Sequence, residues 1–264
     1  MTVVLVSVAF YLVATALLAA ALRRDPAAPG DAWRIPATLA MALHATAHVV
    51  AWNDIGGPDL HFFAALSLVS LGMAAMTTAV ARRERVAALG ILALPLAAAL
   101  LLAYRAYGHA PSMSLDWRQQ LHATLALLAY ATLAVAALLA IGLSIQERAM
   151  RRREFHGWLK ALPPLVQLES LLFRTIAVGF GLLTATLLTG VLFVENLFAQ
   201  HLVHKTVLSI LSWLAFGALL YGRRRHGWRG AKAVRWTLVA MALLVLAYFG
   251  SKGVLELVLH RAGT

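Results

Sequence analysis

The chemistry available to this sequence lies in imidazole: the chain has ten histidines and no cysteine. Without thiols it forms no disulfide, zinc–thiolate site, iron–sulfur cluster or covalent c-type haem attachment, so a metal must be held by imidazole or carboxylate. Neutral imidazole is a good ligand for iron, zinc and copper. Two chemistries suit the pattern. In the first, the iron of a b-type haem takes one imidazole from each of two helices, apolar walls bury the macrocycle, and Arg105, Arg118 and Lys205 meet the propionates. In the second, His44 and His48, one helical turn apart and so on one face, bind a smaller ion with help from His204 or Asp116.

The elements that must position these groups are membrane spans. A composition of 61% hydrophobic and 13% charged residues leaves too little polar surface to cover a soluble globule. Apolar runs recur at about residues 2–22, 35–52, 60–81, 86–107, 120–145, 169–195, 202–221 and 233–258, each near the roughly 20 residues that cross a bilayer as a helix. The expected fold is therefore all-α, a polytopic bundle of about eight transmembrane helices forming a single domain over 1–264. The breaks between runs are short loops, among them the Gly56-Gly57-Pro58 turn.

Charge sets the expected orientation. Arg23 and Arg24, then Arg82, Arg83 and Arg85, then Arg148 with Arg151 to Arg153, then Arg223 to Arg225 with Arg229 occupy alternate loops, and Asp54, Asp59, Asp116 and Glu195 occupy the others. The positive-inside bias puts the basic loops in the cytoplasm and both termini on the outer side. The first span carries its arginines after the apolar run, which reads as a retained anchor rather than a signal peptide. The formal charge of +12 thus belongs to cytoplasmic loops, and nucleic acid is set aside as a partner.

On this topology His44, His48, His61, His109, His122, His201, His204 and His260 fall on the outer side, while His156 and His226 lie inside. Ionisable groups at membrane depth are costly, which makes them functional candidates. His44 lies roughly 12 Å deep at about 1.5 Å per residue, with His48 a turn above it. His122 opens the fifth span, and His201 and His204 open the seventh. His61, His109 and His201 are expected to be solvated loop-edge residues, and His260 likewise near the tail. Trp33, Trp52, Trp117, Trp158, Trp228 and Trp236 are expected in an interfacial belt, of which Trp52 and Trp117 share the outer side with the histidines. In the sixth span Gly179, Gly181, Thr184, Thr186 and Gly190 offer small residues for close helix packing. A transporter would want paired acids deep in the bundle, whereas Glu169, Glu195 and Glu256 stand near span ends.

A family resemblance adds to this. The stretch His122-Ala-Thr-Leu-Ala-Leu-Leu-Ala-Tyr130-Ala resembles the histidine-led helix that precedes the tryptophan-rich segment of CcsA proteins. His204-Lys205-Thr-Val-Leu-Ser-Ile-Leu-Ser-Trp213, then Gly227-Trp228-Arg229-Gly230, then Ala247-Tyr248-Phe249-Gly250-Ser251 follow in the order of the small YpjD-type branch of that superfamily. The resemblance covers nearly the whole chain. It implies a bacterial inner-membrane protein that carries or presents haem b at its outer face, with His122 matching an external haem-ligating histidine and His44 a histidine of the second span. Arg118, Lys205 and Trp117 would border the cofactor, and His48 and His204 are the alternative ligands. Glu195 to Lys205 contains no tryptophan, and the regions of Tyr221-Gly222 and Tyr248-Phe249 hold no histidine, so holding haem is expected rather than ligating it to an apocytochrome. Binding is expected rather than catalysis. The implied partners are membrane lipid, haem and another membrane protein or cytochrome assembly factor; the alternative is a haem-free accessory protein linked to divalent-metal transport or sensing.

Overall fold

The computed structural model describes residues 1–25, 30–81, 86–108, 115–153, 162–193 and 203–250. Among these, eight helices are long and apolar enough to cross a membrane. They are α1 (Thr2–Arg24), α2 (Arg34–Ile55), α3 (Phe62–Val80), α4 (Gly90–Ala106), α5 (Trp117–Arg151), α6 (Leu165–Phe193), α7 (Val203–His226) and α8 (Gly230–Val245). A 3-10 turn, Ala87–Leu89, leads into α4, and a π-helical turn, Leu246–Gly250, closes α8. The outward faces are apolar: Leu5, Leu12, Val49, Leu92 and Val191 are all exposed, as side chains facing hydrocarbon must be. The protein is an all-helical membrane protein.

The chain divides into two compact units, residues 1–114 with 142–168, and residues 115–141 with 169–264. In the first unit α1 packs on α2 and α4, and α3 packs on α4 and α2. Small side chains permit the close approach: Ala14 of α1, Ala37 and Ala40 of α2, Ala74 of α3 and Ala97 of α4 are buried together with Tyr11, Leu18 and Leu94. Ser7 donates to the Ala40 carbonyl at 2.8 Å, joining α1 to α2 where no water can serve. Gly90 leaves room for Leu18, since a Cβ there would stand 2.8 Å from its Cδ2. Gly56 ends α2 in the left-handed conformation, φ +81°, as its place in the Gly-Gly-Pro turn suggests. Trp33 departs from the expected belt: it is 1% exposed, part of the core, with its indole N–H donated to the Gly30 carbonyl at 3.1 Å. Arg34, beside it, covers the turn with bonds to Ala81 O and Asp31.

In the second unit α6 meets α5 at Gly179, where a Cβ would come within 2.5 Å of Leu133. Phe180 of α6 stacks on Trp213 of α7 at 5.5 Å, and the Trp213 indole N–H donates to Thr184 at 2.8 Å. Ser212 of α7 donates to Ala240 O of α8 at 2.8 Å. Of the sixth-span residues, Gly179, Gly190 and Thr184 meet neighbouring helices, whereas a Cβ on Gly181 would meet nothing within 4 Å and Thr186 bonds its own helix at Leu182 O. Helix α5 runs beyond the apolar stretch read from sequence at both ends, because the flanking Gln, Glu and Arg are good helix formers that continue it outside the hydrocarbon, and α6 begins earlier than expected, at Leu165.

Candidate functional site

His122 lies in the first turns of α5, half-buried, facing α6. Its Nδ1 stands 3.1 Å from Thr189 Oγ1. The Thr189 hydroxyl proton is donated back along α6 to the carbonyls of Ala185 and Thr186, at 3.0 and 2.9 Å. With its proton turned to the α6 backbone, the Thr189 oxygen can accept from His122 Nδ1–H, the tautomer that bares a lone pair on Nε2. A ring fixed through its other nitrogen is the usual state of a metal-ligating histidine. Gly190 makes room for it, since a Cβ there would come within 3.3 Å of His122 Cε1.

The imidazole lines a cavity of about 320 Å³ together with Tyr130, Gly190, Lys205, Thr206 and Tyr248. That is the lower end of the roughly 300–1,000 Å³ typical of small-molecule sites. The π-helical turn of α8 shapes one wall: Tyr130 donates its hydroxyl to Leu244 O, and Tyr248 and Phe249 pack on the Tyr130 ring at 6.2 and 5.5 Å. Single π turns inside α-helices gather at functional sites, because they free a carbonyl and re-aim side chains. One imidazole, one amine and mostly apolar walls are the group types a haem site uses, for iron, a propionate and the macrocycle respectively, in a cavity smaller than the whole macrocycle.

Of the other expected site residues, Lys205 lies on this cavity and the rest do not. Trp117 is 65% exposed and meets Phe193 edge-on at 5.8 Å, with the Arg118 guanidinium 5.6 Å from its ring centroid. The Asp116 carboxylate accepts from the Arg118 and Gln119 backbone N–H groups, capping α5. His204 is exposed at the start of α7, and Arg105 is exposed at the end of α4. His226 is exposed beside Tyr221, while Glu169 pairs with Arg223 at 2.5 Å. His109, His156, His201, His260, Trp158, Glu195 and Glu256 lie outside the described residues.

His44 and His48 belong to the first unit and form a different kind of site. His44 is 0% and His48 1% exposed, stacked at 5.5 Å. His44 Nδ1 meets the Tyr11 hydroxyl at 3.1 Å and its Nε2 meets Ser67 Oγ at 2.8 Å; His48 Nε2 meets the same Ser67 Oγ at 3.0 Å. One serine hydroxyl therefore joins two imidazoles, donating to one and accepting from the other. Tyr104 of α4 stacks on His48 at 4.3 Å and hydrogen-bonds Asp59. Trp52 approaches His48 at 6.1 Å.

His61 departs from the expected solvated loop edge. Its side chain is 11% exposed, and its Nδ1 stands 2.6 Å from a carboxylate oxygen of Asp59, a residue buried completely. A buried carboxylate needs such a partner, and the sequence pattern showed neither the burial nor the pairing. Sequence reasoning also missed Thr189, Ser67 and Tyr11. Hydroxyl residues inside spans commonly bond their own helix backbone, so type and spacing alone do not mark those that reach across. Among the described residues no group of three or more histidines and carboxylates converges to hold a metal ion.

Comparison with known proteins bears on this arrangement. A family model described as cytochrome C assembly protein matches residues 32–259. The inner membrane protein YpjD of Escherichia coli (strain K12) is 34% identical over 241 residues, covering 86% of this chain and 89% of YpjD. A 28.8 kDa protein of Azospirillum brasilense is 34% identical over 154 residues, 58% of this chain and 55% of its own. The cytochrome c biogenesis protein CcsA of Synechococcus sp. (strain CC9902) is 24% identical over 163 residues, 53% of each chain. No solved structure matches the chain significantly. The protein belongs to the cytochrome c assembly family, as a membrane protein related to CcsA.

Proposed function

We propose that this protein holds a b-type haem near the outer face of the bacterial inner membrane, as a haem-handling relative of the cytochrome c assembly factors. The observation that carries the reading is the placement of His122: its Nδ1 is engaged by Thr189, which leaves Nε2 for a ligand, and the ring borders an apolar cavity that Lys205 also lines. His122 Nε2 would hold the iron, Lys205 would balance a propionate, and Leu183, Leu187 and Ile210 would keep water from the site. The family resemblance implies His44 as a further ligand; to serve as one it would give up the Ser67 hydroxyl at Nε2, while Ser67 would keep His48 as its partner.

Haem held by protein ligands would supply electron transfer or serve as cargo. The orientation that goes with this reading places the basic loops in the cytoplasm and both termini outside. The full-length protein purified in detergent and given haemin should show a Soret band that is lost in His122→Ala and shifted or lost in His44→Ala. A sample that stays colourless with haemin but copurifies with zinc or copper would replace this reading with a metal-binding accessory role.

A further inference from the structure

The turn between α7 and α8 carries an exposed basic cluster, Arg224, Arg225, Arg229, Lys232 and Arg235. Among the described residues, the carboxylate paired with this turn is Glu169, taken by Arg223 at 2.5 Å, with Arg229 Nε 3.6 Å away.

The turn that presents them is firmly built. Trp228 lies against Gly222, where a Cβ would fall 2.4 Å from the indole, and its backbone N–H donates to Gly222 O at 3.2 Å. Arg223, whose guanidinium lies 4.7 Å from the Phe173 ring centroid, also donates to Trp228 O at 3.4 Å. Gly227 and Gly230 take positive φ, +63° and +51°, which lets the chain reverse tightly. Lys232 Nζ sits 3.8 Å over the Trp228 ring, and the Trp236 ring lies tilted beside it at 5.7 Å.

This cluster stands where two apolar spans end, at the level of an aromatic pair. Lipid phosphates lie at that same height, and Trp rings settle against the glycerol and upper acyl region just beneath them. We propose that the α7–α8 turn is a binding site for an anionic phospholipid, with Arg224, Arg225, Arg229 and Lys232 receiving the phosphate and the Trp228–Trp236 pair lying against the glycerol backbone. A soluble acidic partner would use the charges but has no use for tryptophans at span ends. The site is independent of haem.

Native mass spectrometry of the full-length protein, released from neutral micelles doped equally with phosphatidylglycerol and phosphatidylcholine, tests this. The wild type should retain phosphatidylglycerol preferentially. Each cation at a membrane surface is worth about fivefold in affinity, so Arg229→Gln with Lys232→Gln should weaken retention by about 25-fold. The charge-preserving pair Arg229→Lys with Lys232→Arg should bind as wild type does, which separates lost binding from lost folding, and Arg23→Gln with Arg24→Gln at the end of α1 should leave retention unchanged. Equal loss in the two Gln double variants, loss in the charge-preserving pair, displacement by millimolar inorganic phosphate, or equal retention of phosphatidylcholine would each overturn the site.

Discussion

An imidazole ligates iron only through a nitrogen bearing a lone pair, so the hydrogen on its other nitrogen decides what His122 can do. Thr189 can set where that hydrogen sits: with its own proton on the α6 backbone, its oxygen accepts from Nδ1–H. Thr189→Val removes the acceptor and should weaken haem binding by about 10- to 100-fold, read as the haemin concentration at half-maximal Soret absorbance. Gly190→Val should abolish that band at unchanged helical circular dichroism, since its side chain enters the space of His122. In the first unit, Ser67→Ala strands one nitrogen each of His44 and His48. It should cost about 1–3 kcal/mol of stability per orphaned group in a denaturing-detergent titration. The histidines were legible in the sequence because an ionisable side chain at membrane depth stands out from its neighbours. Their partners were not: Thr189, Ser67 and Tyr11 are residue types found throughout spans, and only the fold shows which of them reach an imidazole. His61 failed for a related reason, since a loop-edge position says nothing about Asp59 being folded inward beneath it.

Helix ends and helix contacts are set by different features of the chain. Apolar length marks each span well, and all eight runs read from sequence correspond to helices among the described residues. The ends of α5 and the start of α6 were less visible, because a helix continues past the lipid boundary wherever flanking residues favour it. Small residues in α6 announced close packing, yet which neighbour each would meet came only with the structure. Gly179 meets Leu133, and Gly179→Val should destabilise the protein by about 1–3 kcal/mol through overpacking, measured as a lower thermal midpoint in detergent. Trp213 was read only as part of a family-like segment. Its bond to Thr184 and its stack on Phe180 tie α7 to α6 within the spans, as Arg223 and Glu169 do nearer the helix ends.

At the scale of the whole chain, alternation of basic and acidic loops predicts one orientation for all eight spans. Reporter fusions after Arg24 should report the cytoplasm and fusions after Asp54 the outer side; the reverse pattern would place the histidines of α2 and the start of α5 on the cytoplasmic side and separate this protein from outer-face haem handling. Family membership and the His122 cavity meet in a single claim, that the chain binds haem through an imidazole whose Nδ1 is engaged by Thr189. The most direct test is the absorbance spectrum of the purified full-length protein titrated with haemin, run beside His122→Ala. A saturable Soret band in the wild type that the variant does not develop is the predicted result. A band of equal size and affinity in both proteins, or none in the wild type, would contradict it.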